Sequence, residues 1–256
     1  MKFALVSGTR QEAQPSLTGE CIGCGSPMVA RCGEVRIKHW AHKGRIRCDS
    51  WWEPETEWHR AWKNEFPPEW QEIVHFAADG EKHIADVKTG EGWVLEFQHS
   101  YITPDERAAR EDFYKTITWV VDGLRSAQSQ NRFLKALERD AFTNRHFPEL
   151  KAISSKVELL KTWVTSNCHV IFDFGGDLLW WLFPESDDSW SYLVSIPRHR
   201  VVSFHHQPSS IELNSFIEKY TELLSRRGSF PSLADYYHFE NTDRLDGYNK
   251  ANRSDE

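Results

Sequence analysis

The stretch Ile84-Ala85-Asp86-Val87-Lys88-Thr89-Gly90-Glu91-Gly92-Trp93-Val94-Leu95-Glu96-Phe97-Gln98 reads as two strands joined by a glycine-flanked turn. If Gly90-Glu91-Gly92 is a three-residue hairpin loop, Lys88 faces Val94 and Asp86 lies directly opposite Glu96. Side chains alternate between the two sides of a strand. Ala85, Val87, Trp93, Leu95 and Phe97 therefore share one apolar face, and Asp86, Glu96 and Gln98 share the other. Two carboxylates across a ladder repel each other unless a cation or a proton sits between them. Magnesium or manganese suits such a pair, because hard divalent ions prefer carboxylate oxygen and water, activate that water and offset phosphate charge. Gln98 is then placed to orient the water through its amide. The bland account of the same spacing is an acidic hairpin face turned to solvent.

Around the hairpin the pattern alternates between helix and strand. Pro54 near a first turn, followed by helical spacing to Lys63, predicts a helix that Pro67-Pro68 stops. On it Glu55, His59 and Lys63 recur every fourth residue and line one face. That spacing alone is a surface ion-pair ladder; beside the hairpin it supplies a third acid in Glu55 and phosphate contacts in His59 and Lys63. A strand at 72–77, the hairpin, a helix from Thr103 as N-cap to about Lys115, and a buried strand at 118–122 complete a helix-strand-strand-strand-helix-strand unit within residues 51–140. Residues 141–256 predict strands at 169–174, 178–183, 190–196 and 200–205 and a helix at 210–226, an α+β extension in which no residue pattern suggests chemistry.

Residues 1–50 differ in texture, being glycine-punctuated and holding four of the five cysteines. Cys21-Ile22-Gly23-Cys24 supplies two thiolates at the spacing that turns both sulfurs onto one metal. The second pair comes from His39, His42 and Cys48. If residues 38–42 are a strand, the two histidines point to opposite faces, which favours His42 with Cys48 and leaves His39 as the alternate ligand. Structural zinc is the expected ion, and a β module this small needs such a staple. Cys168, alone beside an apolar strand, reads as core.

The chain of 256 residues, with 39% apolar and 27% charged side chains, is globular in composition. Its longest apolar run, Leu178 to Phe183, is far short of the roughly 20 residues that span a bilayer, and no signal-peptide core follows Met1, so a cytoplasmic location without membrane contact is expected. The net charge is −7, yet residues 1–50 carry eight basic against four acidic side chains, a net of +4. A basic recognition module on an acidic body suits DNA as the partner, with Arg45 and Arg47 on its phosphates. Trp40, Trp51 and Trp52 lie alongside, either to stack on bases or to pack the module on the body.

Taken together, Phe3-Ala4-Leu5, Cys21-Ile22-Gly23-Cys24, His39-Trp40-Ala41-His42, Glu55-Thr56 with His59 and Lys63, Ile84 to Val87, Leu95 to Ser100 and Arg110 to Tyr114 resemble the competence protein CoiA-like family. The central domain of that family belongs to the PD-(D/E)xK, or restriction-endonuclease-like, nucleases. The resemblance implies an αβββαβ nuclease core with Asp86 and Glu96 as ligands of magnesium or manganese, Gln98 where many members of the superfamily carry lysine, and Glu55 as the first-helix acid. It covers residues 3–122; the tryptophan-rich end with Trp180, Trp181 and Trp190 lies beyond it and is a candidate for protein-partner contact. The function implied is metal-dependent hydrolysis of DNA in competence, other DNA processing or defence. The alternative is a catalytically inactive, zinc-stapled nucleic-acid-binding module.

Overall fold

In the computed structural model the first strands form a five-stranded antiparallel sheet ordered β2-β1-β3-β4-β5, from β1 (Phe3–Val6), β2 (Thr9–Glu12), β3 (Thr18–Glu20), β4 (Pro27–Arg31) and β5 (His39–His42). The structure describes residues 1–44, 48–77, 80–144, 146–187, 189–206 and 211–225; Arg45 and Arg47 lie outside them. The apolar core of this small sheet is only Ala4, Ala13, Cys21, Met28, Trp40 and a few neighbours. Trp40 is fully buried and its indole N–H donates to the Gln11 carbonyl at 2.9 Å, so it packs the module and offers no face to a base.

The middle of the chain contributes α1 (Glu57–Asn64), β6 (Gln71–Phe76), β7 (Lys82–Lys88), β8 (Val94–Gln98), α2 (Pro104–Tyr114) and β9 (Ile117–Asp122), in the expected order. Helix α1 begins later than Pro54 suggested. Thr56 is its N-cap, in a reciprocal capping box with His59, so Pro54 and Glu55 belong to the approach to the helix. Thr103 caps α2 as expected. Gly92, at φ +82°, closes the hairpin with Lys88 opposite Val94, the register read from the sequence.

The sheet does not end at residue 140. After α3 (Ala127–Lys135) come β10 (Phe142–Thr143), β11 (Leu150–Ser154), β12 (His169–Asp173), β13 (Leu178–Leu182), β14 (Trp190–Pro197), α4 (Arg198–His206) and α5 (Ile211–Ser225). Strand β12 pairs parallel to β9, giving one nine-stranded mixed sheet ordered β10-β11-β14-β13-β12-β9-β8-β7-β6. Residues 198–206 are helical, not the strand expected at 200–205. Val201, Phe204 and His205 are the buried positions there, a helical stripe that a short apolar run disguises as alternation. One face of the sheet packs α1, α4 and α5 through Trp62, Phe97, Trp181, Phe204 and Leu213. The other packs α2 and α3 through Tyr114, Phe133 and Trp119. Trp181 is thus a core residue, and Trp180 packs against the second cluster. Among the described residues no helix is long and apolar enough to cross a membrane.

One buried carboxylate ties the extension to α1. Asp173, at the end of β12, accepts from the indoles of Trp58 (2.9 Å) and Trp62 (2.8 Å), from the Arg198 guanidinium (2.6 Å) and from the Gly175 N–H (2.8 Å). Burial works to raise its pKa, but the Gly175 N–H, Arg198 and Trp58 outweigh that and hold it below the usual aspartate value. Asp173→Ala strands three side-chain donors, one of them charged, and should lower stability by about 3 kcal/mol or more. Urea unfolding checks this; a loss under about 0.5 kcal/mol would contradict the role given to the network.

Candidate functional site: a metal knuckle over an acidic cavity

The turn between β3 and β4 carries Cys21 and Cys24, the end of β5 carries His42, and Cys48 follows. Their ligand atoms all lie within 4.8 Å of one another. Cys24 Sγ is 3.4 Å from His42 Nε2 and Cys21 Sγ is 3.7 Å from Cys48 Sγ. Three sulfurs and one imidazole nitrogen converging this closely can hold a metal such as zinc, whose structural sites take four such ligands. His39 turns away, with Nδ1 2.8 Å from the Ile37 carbonyl, so strand alternation selected the right histidine. Burial pushes the Cys48 thiol up to about 12, with Cys21 adding to it. At Cys24 burial acts the same way, but hydrogen bonds from Ser26, His42 and Cys21 pull the thiol down to about 6. Thiolates brought this close repel one another, and a bound cation would offset that charge.

The knuckle docks on β7. Gly23 lies so close to the strand that a Cβ there would meet Ile84 Cδ1 at 3.0 Å, and its carbonyl accepts from Lys82 Nζ at 2.5 Å. Asp49, the residue after Cys48, reaches His83 Nδ1 at 2.7 Å and the Ile84 N–H at 2.8 Å. Cys48 ligation and the position of β7 are therefore linked through one residue.

Between knuckle and sheet lies a cavity of about 290 Å³ whose wall includes Cys48, Trp52, Lys63, Asp86, Glu96 and Gln98. Backbone pairing of β7 with β8 stops at Val87 and Leu95. Beyond it Glu96 Oε1 accepts the Asp86 N–H at 3.2 Å and Asp86 Oδ2 accepts the Phe97 N–H at 3.0 Å. The two acids are thus brought together as expected, but by bonding across the ladder and not by continuing it. This break also changes the face assignment. Val87, Leu95 and Phe97 share one core, whereas Ala85 joins the other with Val94. The polar face is not turned to solvent either, since Glu96 is only 6% and Gln98 2% exposed. Burial, and then the Asp86 charge, hold the Glu96 carboxyl well above the usual glutamate range; Arg110 at 3.6 Å opposes them without prevailing.

Helix α1 brings Lys63 and His59 to the same cavity. Lys63 Nζ lies 2.9 Å from both Glu55 and Glu72 and 3.8 Å from Asp86. Burial would lower its pKa, but Glu72, Asp86 and Glu55 outweigh it, so the ammonium stays charged. Glu55 is committed to Lys63 and to Arg60 Nε at 2.8 Å, which makes it a counter-ion in this arrangement. Burial, with Lys63 and His99, lowers the His59 pKa against Asp86 and Glu53, so His59 is neutral near pH 7. The Gln98 amide N–H groups go to Glu53 and to the Ser100 carbonyl, leaving its Oε1 without a partner among the described residues.

Two acids escaped the reading of the sequence. Glu72 stands opposite Asp86 on β6, between the pairs Gln71–Val87 and Ile73–Ala85. Its φ of +48° is rare for a side chain of this size, and its carboxylate accepts the Lys2 and Phe3 N–H groups and Lys63. Glu53 holds Gln98. Neither belongs to a spaced motif; an acid opening an apolar strand was the only sign of Glu72. Comparison with family models, with curated proteins and with solved structures finds no match to the chain.

Two outcomes follow from this geometry. Metal analysis should find about one zinc per chain. Cys24→Ser should abolish it and speed amide exchange at residues 82–86, where the knuckle rests; zinc-free protein with that segment still protected would contradict the site. In zinc-loaded protein without added magnesium or manganese, Glu96 binds its proton more tightly folded than unfolded, so stability should fall as pH rises from the ordinary glutamate value through the raised one. Glu96→Gln should remove that slope in pH-dependent unfolding.

Proposed function

We propose that this chain is a divalent-metal-dependent nuclease of the PD-(D/E)xK kind, hydrolysing DNA phosphodiester bonds, with its zinc knuckle in a structural role. The observation that carries the reading is the pairing of Asp86 with Glu96 in one cavity, on the second and third strands of a helix-strand-strand-strand-helix-strand unit. Asp86 Oδ1 and Glu96 Oε2 are the oxygens not bonded across the ladder, and these two carboxylates would hold magnesium or manganese. Two carboxylates suit an ion that retains several waters, and proton loss from Glu96 on binding supplies the charge. When bound, the ion lowers the pKa of a water and offsets charge on the phosphate.

The chain's own groups then have separable tasks. Gln98, fixed by Glu53, would accept a hydrogen bond from the attacking water through Oε1 and so orient it without taking its proton. Lys63, 3.8 Å from Asp86 Oδ1, helps to hold that carboxylate in place. Arg110 does the same for Glu96 once that acid has lost its proton. His59, neutral and buried, is positioned by its capping box rather than by charge. The resemblance to CoiA-like proteins points to competence, DNA processing or defence as the setting.

The second reading, an inactive zinc-stapled nucleic-acid-binding module, draws on the Gln98 amide N–H groups being taken and on Lys63 being enclosed by carboxylates. Cleavage of DNA with manganese separates the two. Asp86→Asn and Glu96→Gln should each lower the rate by roughly a hundredfold or more, and Gln98→Ala by less. DNA binding without manganese-dependent cutting would favour the inactive module.

A further inference from the structure

The geometry points to a single, unpaired DNA strand as the substrate, with Trp52 as the platform on which one of its bases stacks. This rests on the nuclease reading and adds the form of DNA it acts on. The groups assigned to the chemistry sit on the floor of the cavity. Glu96, Gln98, Lys63 and Arg110 are all buried, and the knuckle sheet roofs them with Met28, Trp40 and His42. A volume of about 290 Å³ is at the lower end of small-molecule pockets, enough for one nucleotide unit. A duplex presents its phosphates on a rigid cylinder beside paired bases, and none of them can descend between two sheets without unpairing. An unpaired strand can, since its backbone bends and its bases splay outward.

Affinity for that strand cannot come from charge alone. Asp49, Glu53, Glu55, Glu72 and Asp86 are on the cavity wall together with Glu96, whose carboxyl holds its proton well above the usual range, and the cations facing them among the described residues are Lys63, Arg110 and the Met1 ammonium, 3.5 Å from Glu55. A wall so acidic repels a polyanion until a divalent ion is present. Stacking on an aromatic ring is insensitive to that charge and to base identity. Of the three tryptophans near the knuckle, Trp40 is buried in the module and Trp51 is stacked on the His83 ring at 3.3 Å. Trp52 is 46% exposed, lines the same cavity and has no ring partner among the described residues. Asp86 lines the same cavity, and its side chain is 24% exposed.

The test uses the full, zinc-loaded chain and labelled oligonucleotides of one sequence as single strand, blunt duplex and duplex with a single-stranded tail. Binding is measured in calcium, which takes the same oxygens with looser geometry, and cutting in manganese. The single strand should bind and be cut at least about tenfold better than the blunt duplex, and the tailed duplex should be cut in its tail. Trp52→Ala should weaken single-strand binding by between about fivefold and about a hundredfold, the loss of one stack, and Trp52→Phe should restore most of it. Equal binding or cutting of the blunt duplex, or unchanged binding by Trp52→Ala, would overturn the proposal. If no DNA is cut, the nuclease reading fails, and the calcium comparison still decides the strand preference.

Discussion

Two carboxylates that bond across a β-ladder set the terms for everything around them. Asp86 and Glu96 each accept an N–H of the opposite strand, so backbone pairing gives way just where the hairpin enters the cavity. Like charges in a buried setting cannot both ionise freely, and the effect falls on Glu96, whose carboxyl is held well above the usual glutamate range by burial and then by the Asp86 charge. The surrounding cations balance the rest. Lys63 is shared by Glu55, Glu72 and Asp86, while Arg110 faces Glu96. On the proposed reading, a divalent ion would add the further positive charge that lets both acids ionise.

All three parts of the chain hold that arrangement in place. The knuckle reaches it through Asp49, which is fixed by its neighbour Cys48 and pins His83 and Ile84 just before Asp86. The first strand reaches it through Glu72, which binds the Lys2 and Phe3 N–H groups and Lys63 with one carboxylate. The extension reaches it through Asp173, which anchors both indoles of α1 and so sets where Lys63 and His59 stand. Residues after 140, silent as to chemistry in the sequence, thus act on the site by positioning its helix.

What could be read from the sequence was what depends on local spacing. The Gly90–Gly92 loop fixed the Lys88–Val94 register, and strand alternation separated His42 from His39. What could not be read depends on partners distant in the chain. That Glu72 abandons ordinary strand geometry follows from Lys2 and Phe3, some 70 residues away. That Ala85 leaves the face of Val87 follows from the ladder breaking between them, and that β12 continues the sheet beside β9 follows from long-range parallel pairing. The α4 segment misled because six residues holding three apolar ones, Val201, Val202 and Phe204, fit either period.

The claim that the paired acids await a divalent cation is tested most directly by calorimetric titration of manganese into the zinc-loaded protein in buffers of different ionisation heat. The account predicts saturable binding near Asp86 and Glu96, accompanied by release of the Glu96 proton, and its loss in Asp86→Asn. Absence of manganese binding, or equal binding by Asp86→Asn, would contradict it.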